Sequence, residues 1–89
     1  MALFEIKWKI SAKKELKKID KDEIPKILNA IENLSLEPYP INYKKLKATQ
    51  HLFRIKVGNY RVIYSIENSQ LIIEIIRVRH RQEIYKNFP

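Results

Sequence analysis

Gly58 is the only glycine in the chain, and with Asn59 it makes a two-residue turn signal between two runs rich in β-branched and aromatic residues. A turn that short leaves the flanking strands no freedom of register. It sets Val57 opposite Tyr60, Lys56 opposite Arg61, Ile55 opposite Val62 and Arg54 opposite Ile63. Since successive strand side chains point to opposite faces, Phe53, Ile55, Val57, Tyr60, Val62, Tyr64 and Ile66 form one apolar face that must cover a core. Arg54, Lys56 and Arg61 fall on the other. Asn68-Ser69 is a second turn signal; if it sets Ile66 against Leu71, then Leu71, Ile73 and Ile75 join the core face, and Glu74, Ile76 and Val78 the cationic face.

The N-terminal half supplies the helices to be covered. Phe4, Ile6, Trp8 and Ile10 alternate with Glu5, Lys7 and Lys9, which is the period of a half-buried strand. Ser11 can cap a short basic helix carrying Ala12, Leu16 and Ile19 on one side, and Asp22 can cap a second, with Pro25 in its first turn and an apolar stripe of Ile24, Ile27, Leu28, Ile31 and Leu34. Pro38 and Pro40 stop it. Residues 37–50 read as a loop carrying Lys44, Lys45 and Lys47, and the polar, basic stretch from Arg79 to Tyr85 has room for one helical turn before Phe88-Pro89. The expected fold is a single α+β domain over residues 1–89, β-α-α-β-β-β, with a mostly antiparallel sheet, two N-terminal helices packed on one face and a short C-terminal tail.

Eighty-nine residues hold one hydrophobic core, so one surface must carry the function. The balance of 18 Lys+Arg against 10 Asp+Glu gives +8, which calls for an acidic partner: nucleic acid, an anionic membrane or an acidic protein. There is no cysteine, which excludes disulfides and thiolate metal sites. Two histidines without a His-Glu pair at ligand spacing argue against any metal, and one glycine against a glycine-rich phosphate loop, so no cofactor is expected. The N-terminus has no leader pattern and no apolar run approaches the roughly 18 residues of a membrane span. The expectation is a cytoplasmic protein with no membrane partner.

Lys56 directly across from Arg61, with Arg54 beside them, is a local electrostatic fault of a few tenths of a kcal/mol up to about 1 unless an anion sits there. A solvated sheet face holding three ordinary cations is the alternative. Arg77, Arg79 and Arg81, with His80, leave the last strand near the Tyr60–Arg61 end of the sheet and concentrate the charge there, which suits a phosphate.

The segment Arg54-Ile55-Lys56-Val57-Gly58-Asn59-Tyr60-Arg61-Val62-Ile63-Tyr64, followed by Val78-Arg79-His80-Arg81-Gln82-Glu83-Ile84-Tyr85, resembles the RelE/ParE toxin superfamily, and so does the order of elements. The resemblance implies a toxin that cleaves messenger RNA in the ribosomal A site, with the family's basic and tyrosine residues on Arg54, Lys56, Arg61, Arg81 and Tyr85. Arg54 departs from the lysine often found there, and the segment from Arg81 to Tyr85 is shorter than in the best-known members. Cleavage by an attacking 2′-hydroxyl requires a base, cations for the phosphorane and an acid for the leaving 5′-oxygen. Lys56, flanked by arginines that disfavour its protonated form, is the base candidate; Arg61 stabilises the phosphorane; Arg54, Arg77 and Arg79 bind phosphate. The resemblance puts Arg81 at the leaving oxygen, although a guanidinium is a poor proton donor and His80 is chemically the better acid. Tyr85 can stack on a base, or simply pack on the domain. His51 reads as structural, and the Lys13–Lys26 stretch as a solvated helix face or a ribosomal RNA contact.

A free nuclease would kill its host, so an acidic, extended antitoxin is the expected protein partner beside ribosome and message. The alternatives are a ParE-like DNA gyrase inhibitor with no nuclease activity and a non-catalytic nucleic-acid-binding module, the latter weakened by the lack of aromatic residues among the cations.

Overall fold

A computed structural model describes residues 3–47 and 51–86; the end of the expected loop at 48–50 and the terminal Phe88-Pro89 lie outside the described residues. The elements run β1 (Glu5–Trp8), α1 (Ile10–Lys17), α2 (Ile24–Leu34), β2 (Lys44–Lys45), β3 (Leu52–Val57), β4 (Tyr60–Glu67) and β5 (Ile72–His80). They form one five-stranded sheet in the order β1-β5-β4-β3-β2, antiparallel except for β1 against β5. The expected α+β architecture holds, with one strand more than expected. Lys44 and Lys45, exposed, pair with Arg54 and Phe53 as a two-residue edge strand in what reads as a loop. Lysine blunts a sheet edge against further pairing, so its presence hides the strand from propensity.

Gly58 turns the β3–β4 hairpin with φ 59°, the left-handed value that the first position of such a turn demands. The register is the expected one from Val57↔Tyr60 to Arg54↔Ile63. Ile55, Val62 and Tyr64 are buried in the core, and Phe53, Val57, Tyr60 and Ile66 pack against it.

The second hairpin departs from expectation. Ile66 faces Ile73 rather than Leu71, and Glu67 pairs with Ile72 around a four-residue turn, residues 68–71. The Glu67 carboxylate accepts from the Ser69 amide and hydroxyl, and Leu71 takes φ 56°, a conformation costing a non-glycine residue about 1–2 kcal/mol. Leu71 thus leaves the core face and is 36% exposed, while Ile73 and Ile75 are buried as expected. Between Ile63↔Arg77 and Tyr64↔Ile75 the ladder slips by one residue, so that Ile76 has no partner in β4. Such a bulge exchanges the faces of everything beyond it. Val78 therefore lies against Val62, fully buried among the helices, and not on the cationic face; Arg77 and Arg79 take the odd-numbered places opposite Ile63 and Arg61.

Neither helix uses its expected cap. The Lys13 amide donates to the Lys9 carbonyl, so α1 begins directly on leaving β1, with Ser11 inside its first turn and Ile10 74% exposed instead of in the strand. Glu23, not Asp22, precedes α2, without a side-chain bond; the Asp20 carbonyl accepts from the Glu23 and Ile24 amides, and Pro25 has no amide to cap. The apolar stripe is as expected, with Ile27, Ile31 and Leu34 buried.

Among the described residues, Ile63 and Ile84 are also fully buried, outside this core. Ile63 faces away from the helices, and its cross-strand neighbour Arg77 donates to the carbonyls of Ile84 (2.9 Å) and Lys86 (2.8 Å). The tail, a series of turns over 81–86, therefore crosses the helix-free face of the sheet.

Tyr64 anchors the loop after α2. Its hydroxyl donates to the Pro38 carbonyl at 2.8 Å, and its ring joins Phe53, Tyr39 and Tyr43 in an aromatic cluster. Burial, then the neighbouring Tyr39 and Tyr43, raises the pKa of Tyr64 well above the ordinary value. The folded state thus keeps this proton when the unfolded chain has lost it. The stability so gained is complete below about pH 10, the unfolded tyrosine value, and disappears as pH rises beyond it. Tyr64→Phe is expected to lose about 1 kcal/mol at neutral pH and to flatten the alkaline fall in stability, as read from urea midpoints at pH 8 to 11. An equal alkaline slope in both proteins would refute it.

A candidate cationic site

The cations of the helix-free face come together where the β3–β4 hairpin meets the start of the tail. The Arg81 amide donates to the Asn59 carbonyl at 2.8 Å, tying the residue after β5 to the hairpin turn. Arg61 folds along the same turn, its Nη1 donating to the carbonyls of Gly58 (3.0 Å) and Tyr60 (2.9 Å). Its pKa is held below the usual value first by partial burial and then by the charges of Arg54 and Arg81, with Tyr85 acting in the opposite sense. Arg54, Arg81 and Tyr85 are thus each within electrostatic reach of Arg61. None of the three arginines forms an ion pair among the described residues.

Arg54 adds a buried donor to this face. Its Nε is buried and has no hydrogen-bond partner among the described residues. A buried guanidinium donor left unmet costs about 1–3 kcal/mol or more, and an anion would repay it. Arg54 lines a cleft of 290 Å³ with Lys44, Lys45, Leu46, Lys47 and Tyr85. The edge strand thus brings more positive charge to Arg54, a contribution that pairing opposite Phe53–Arg54 could have revealed.

Lys56 stands opposite Arg61, as the turn requires, and is exposed. Its carbonyl accepts from Asn42 Nδ2 at 2.8 Å, and it borders a second cleft, of 350 Å³, against α2 and the loop after it.

Three of the residues expected at the site have other positions or partners. His80 lies opposite Tyr60, on the helix side of the sheet, because the bulge at Ile76 exchanges the faces; its ring meets Tyr60 edge-on at 5.6 Å and its Nδ1 accepts from the Gln82 amide at 3.2 Å. The structure does not bring it to the arginines. Arg77 holds the tail carbonyls, and partial burial, then Arg79, lowers its pKa, with Glu15 offsetting. Arg79 is ion-paired with Glu15 of α1. Glu15 is the one acidic residue of that lysine-rich helix, which is the signal in the sequence that it has a particular partner.

Converging guanidiniums without counter-ions can clamp a phosphodiester, offering paired N–H donors and stabilising added negative charge on its oxygens. Against known proteins, the family model of the ParE toxin of the type II toxin–antitoxin system parDE matches residues 6–85. RelE1 of Methanocaldococcus jannaschii is 31% identical over 77 residues, 83% of this chain and 86% of that one. The toxin–antitoxin complex RelBE2 from Mycobacterium tuberculosis contains a similar chain, with a TM-score of 0.81 at 25% identity over 91% of this chain and 94% of that one. The archaeal RelE–RelB complex from Pyrococcus horikoshii gives 0.78 at 28% identity over 89% and 96%. Sequence match from within β1 to Tyr85 and agreement of the whole fold lead to one assignment: the chain belongs to the RelE/ParE superfamily and is a toxin of a type II toxin–antitoxin system.

Proposed function

We propose that this toxin is a metal-independent endoribonuclease that cleaves messenger RNA in the ribosomal A site by attack of the ribose 2′-hydroxyl on the adjacent phosphorus. The observation that carries the reading is that Arg54 and Arg81 both act on Arg61, with none of the three in an ion pair among the described residues and with Arg54 Nε buried without a hydrogen-bond partner there. In this reading Arg54 grips the phosphate, Arg61 stabilises the phosphorane and Lys56 takes the 2′ proton. Arg81 stabilises the leaving 5′-oxygen by charge and hydrogen bonds while that oxygen takes its proton from water, since His80 lies across the sheet. Tyr85, 53% exposed, is free to stack on a base. Arg77 and Arg79, engaged by the tail and by Glu15, support the site from behind.

The likeness to RelE1 and to chains of RelE–RelB complexes supports both the ribosomal target and an acidic, RelB-like antitoxin attracted by the +8 charge. Such a target places the toxin in the cytoplasm; among the described residues no helix is long and apolar enough to cross a membrane. The deciding experiment is incubation with programmed ribosomes in the presence of chelator, followed by mapping of the message ends. A 2′,3′-cyclic phosphate or its opened form and a free 5′-hydroxyl are expected. A 5′-phosphate, or a need for Mg²⁺ beyond ribosome integrity, would exclude the mechanism. The ParE match favours a second reading, gyrase inhibition, which an intact message together with blocked DNA supercoiling would establish instead.

A further inference from the structure

β1 ends opposite Ile75, so β5 continues past the last strand that could pair with its outer edge. The Lys9 amide still donates to the Ile75 carbonyl at 3.1 Å, but the amide of Val78, in a fully buried residue, needs another acceptor. Glu15 provides it from α1. Its Oε1 accepts from the Val78 amide at 2.9 Å, and its Oε2 accepts from Arg79 Nε. The side chain is only 15% exposed, so this carboxylate has given up most of its water for two N–H donors on one strand.

The place of those donors matters. Arg79 is the cross-strand partner of Arg61. Released from Glu15, its guanidinium would be a further positive charge beside Arg54, Arg61 and Arg81. Two residues on, the Arg81 amide meets the Asn59 carbonyl, so the backbone from Val78 to Arg81 is held by Glu15 at one end and by the hairpin turn at the other.

We propose that Glu15 is a positioning residue of the cationic site: by binding the Val78 amide and holding Arg79 at the sheet edge, it fixes the backbone from which Arg81 reaches Arg61 and keeps the Arg79 charge away from the bound phosphate. The proposal rests on the nuclease reading for its effect on rate, but its geometric part can be read in the protein alone. Glu15→Ala removes both contacts, whereas Glu15→Gln keeps an acceptor for the Val78 amide and loses the charge that holds Arg79.

In single-turnover cleavage on programmed ribosomes, Glu15→Ala is expected to lose at least about tenfold in rate at saturation, with the half-saturating ribosome concentration within about threefold of wild type, and Glu15→Gln to fall between the two. In ¹⁵N spectra of the full chain, the Arg61 and Arg81 Nε–H resonances are expected to move in Glu15→Ala while the amides of β1 and β3 stay in place. Wild-type rate in Glu15→Ala, unmoved arginine resonances, or amide shifts spread through β1 and β3 would each overturn the proposal, the last by making Glu15 a general support of the fold. If wild-type protein leaves the message intact, the nuclease reading fails by itself and the arginine resonances still decide the role of Glu15.

Discussion

Arg61→Ala is expected to slow ribosome-dependent cleavage by about 10²–10³-fold while changing stability by no more than about 0.5 kcal/mol. Both halves of the expectation come from its position. The guanidinium is within electrostatic reach of both Arg54 and Arg81 on the face away from the helices, where the proposed mechanism puts the negative charge of a phosphorane. The two carbonyls it serves, those of Gly58 and Tyr60, belong to a hairpin turn at the surface and can be taken over by water. Lys56→Ala, at an exposed position across the ladder, is expected to lose as much in rate and as little in stability. The measurements are single-turnover cleavage on ribosomes and thermal unfolding of the isolated proteins. Undiminished rates in both variants would move the site elsewhere, and a large fall in melting temperature would mean that the cations support the fold.

The opposite pattern is expected for Ile27→Ala. Ile27 is fully buried in the stripe by which α2 meets the sheet, and cutting a core isoleucine to alanine costs about 2–5 kcal/mol. Small domains have only about 5–15 kcal/mol in total, and at this size each kcal/mol moves Tm by about 4–8 °C, so a fall of roughly 8–40 °C is expected. Leu28 of the same helix is the internal comparison, since at 36% exposure its truncation removes less buried surface and a smaller fall is expected. A loss under about 1 kcal/mol in Ile27→Ala would show that this part of the core collapses around the gap or packs loosely.

The parts of this fold legible in the sequence are those governed by short-range geometry. Gly58-Asn59 allows one register, and that register alone separates the core residues of β3 and β4 from Arg54, Lys56 and Arg61. The bulge at Ile76 could not be read in the same way. Ile72-Ile73-Glu74-Ile75-Ile76-Arg77-Val78 has isoleucine pairs in place of alternation, so an added residue leaves no mark in the pattern, yet it decides that Val78 is core and that His80 lies away from the arginines. The edge strand at Lys44-Lys45 is exposed on both faces and has no apolar period to detect. Ile84 sits alone in a polar tail, and only the three-dimensional path of that tail across Ile63 shows why it is apolar. Among the candidate site residues, the tight turn sets the ladder positions of Lys56 and Arg61, which the sequence indicates. Those beyond the bulge depended on a slip that only the ladder reveals.

The parallel pairing of β1 with β5 has a consequence for the order in which this protein can assemble. β1 precedes the other described elements, yet its partner among the described strands is β5, the last of them, and β5 also lies between β1 and β4. A growing chain can close the β3–β4 hairpin early, since that contact is local, but the two sides of the sheet stay unjoined until residues 72–80 arrive. Arg81 and Tyr85 come later still. An incomplete chain therefore has neither its finished core nor its full set of cations, and the cationic cluster is complete only once synthesis has passed Tyr85.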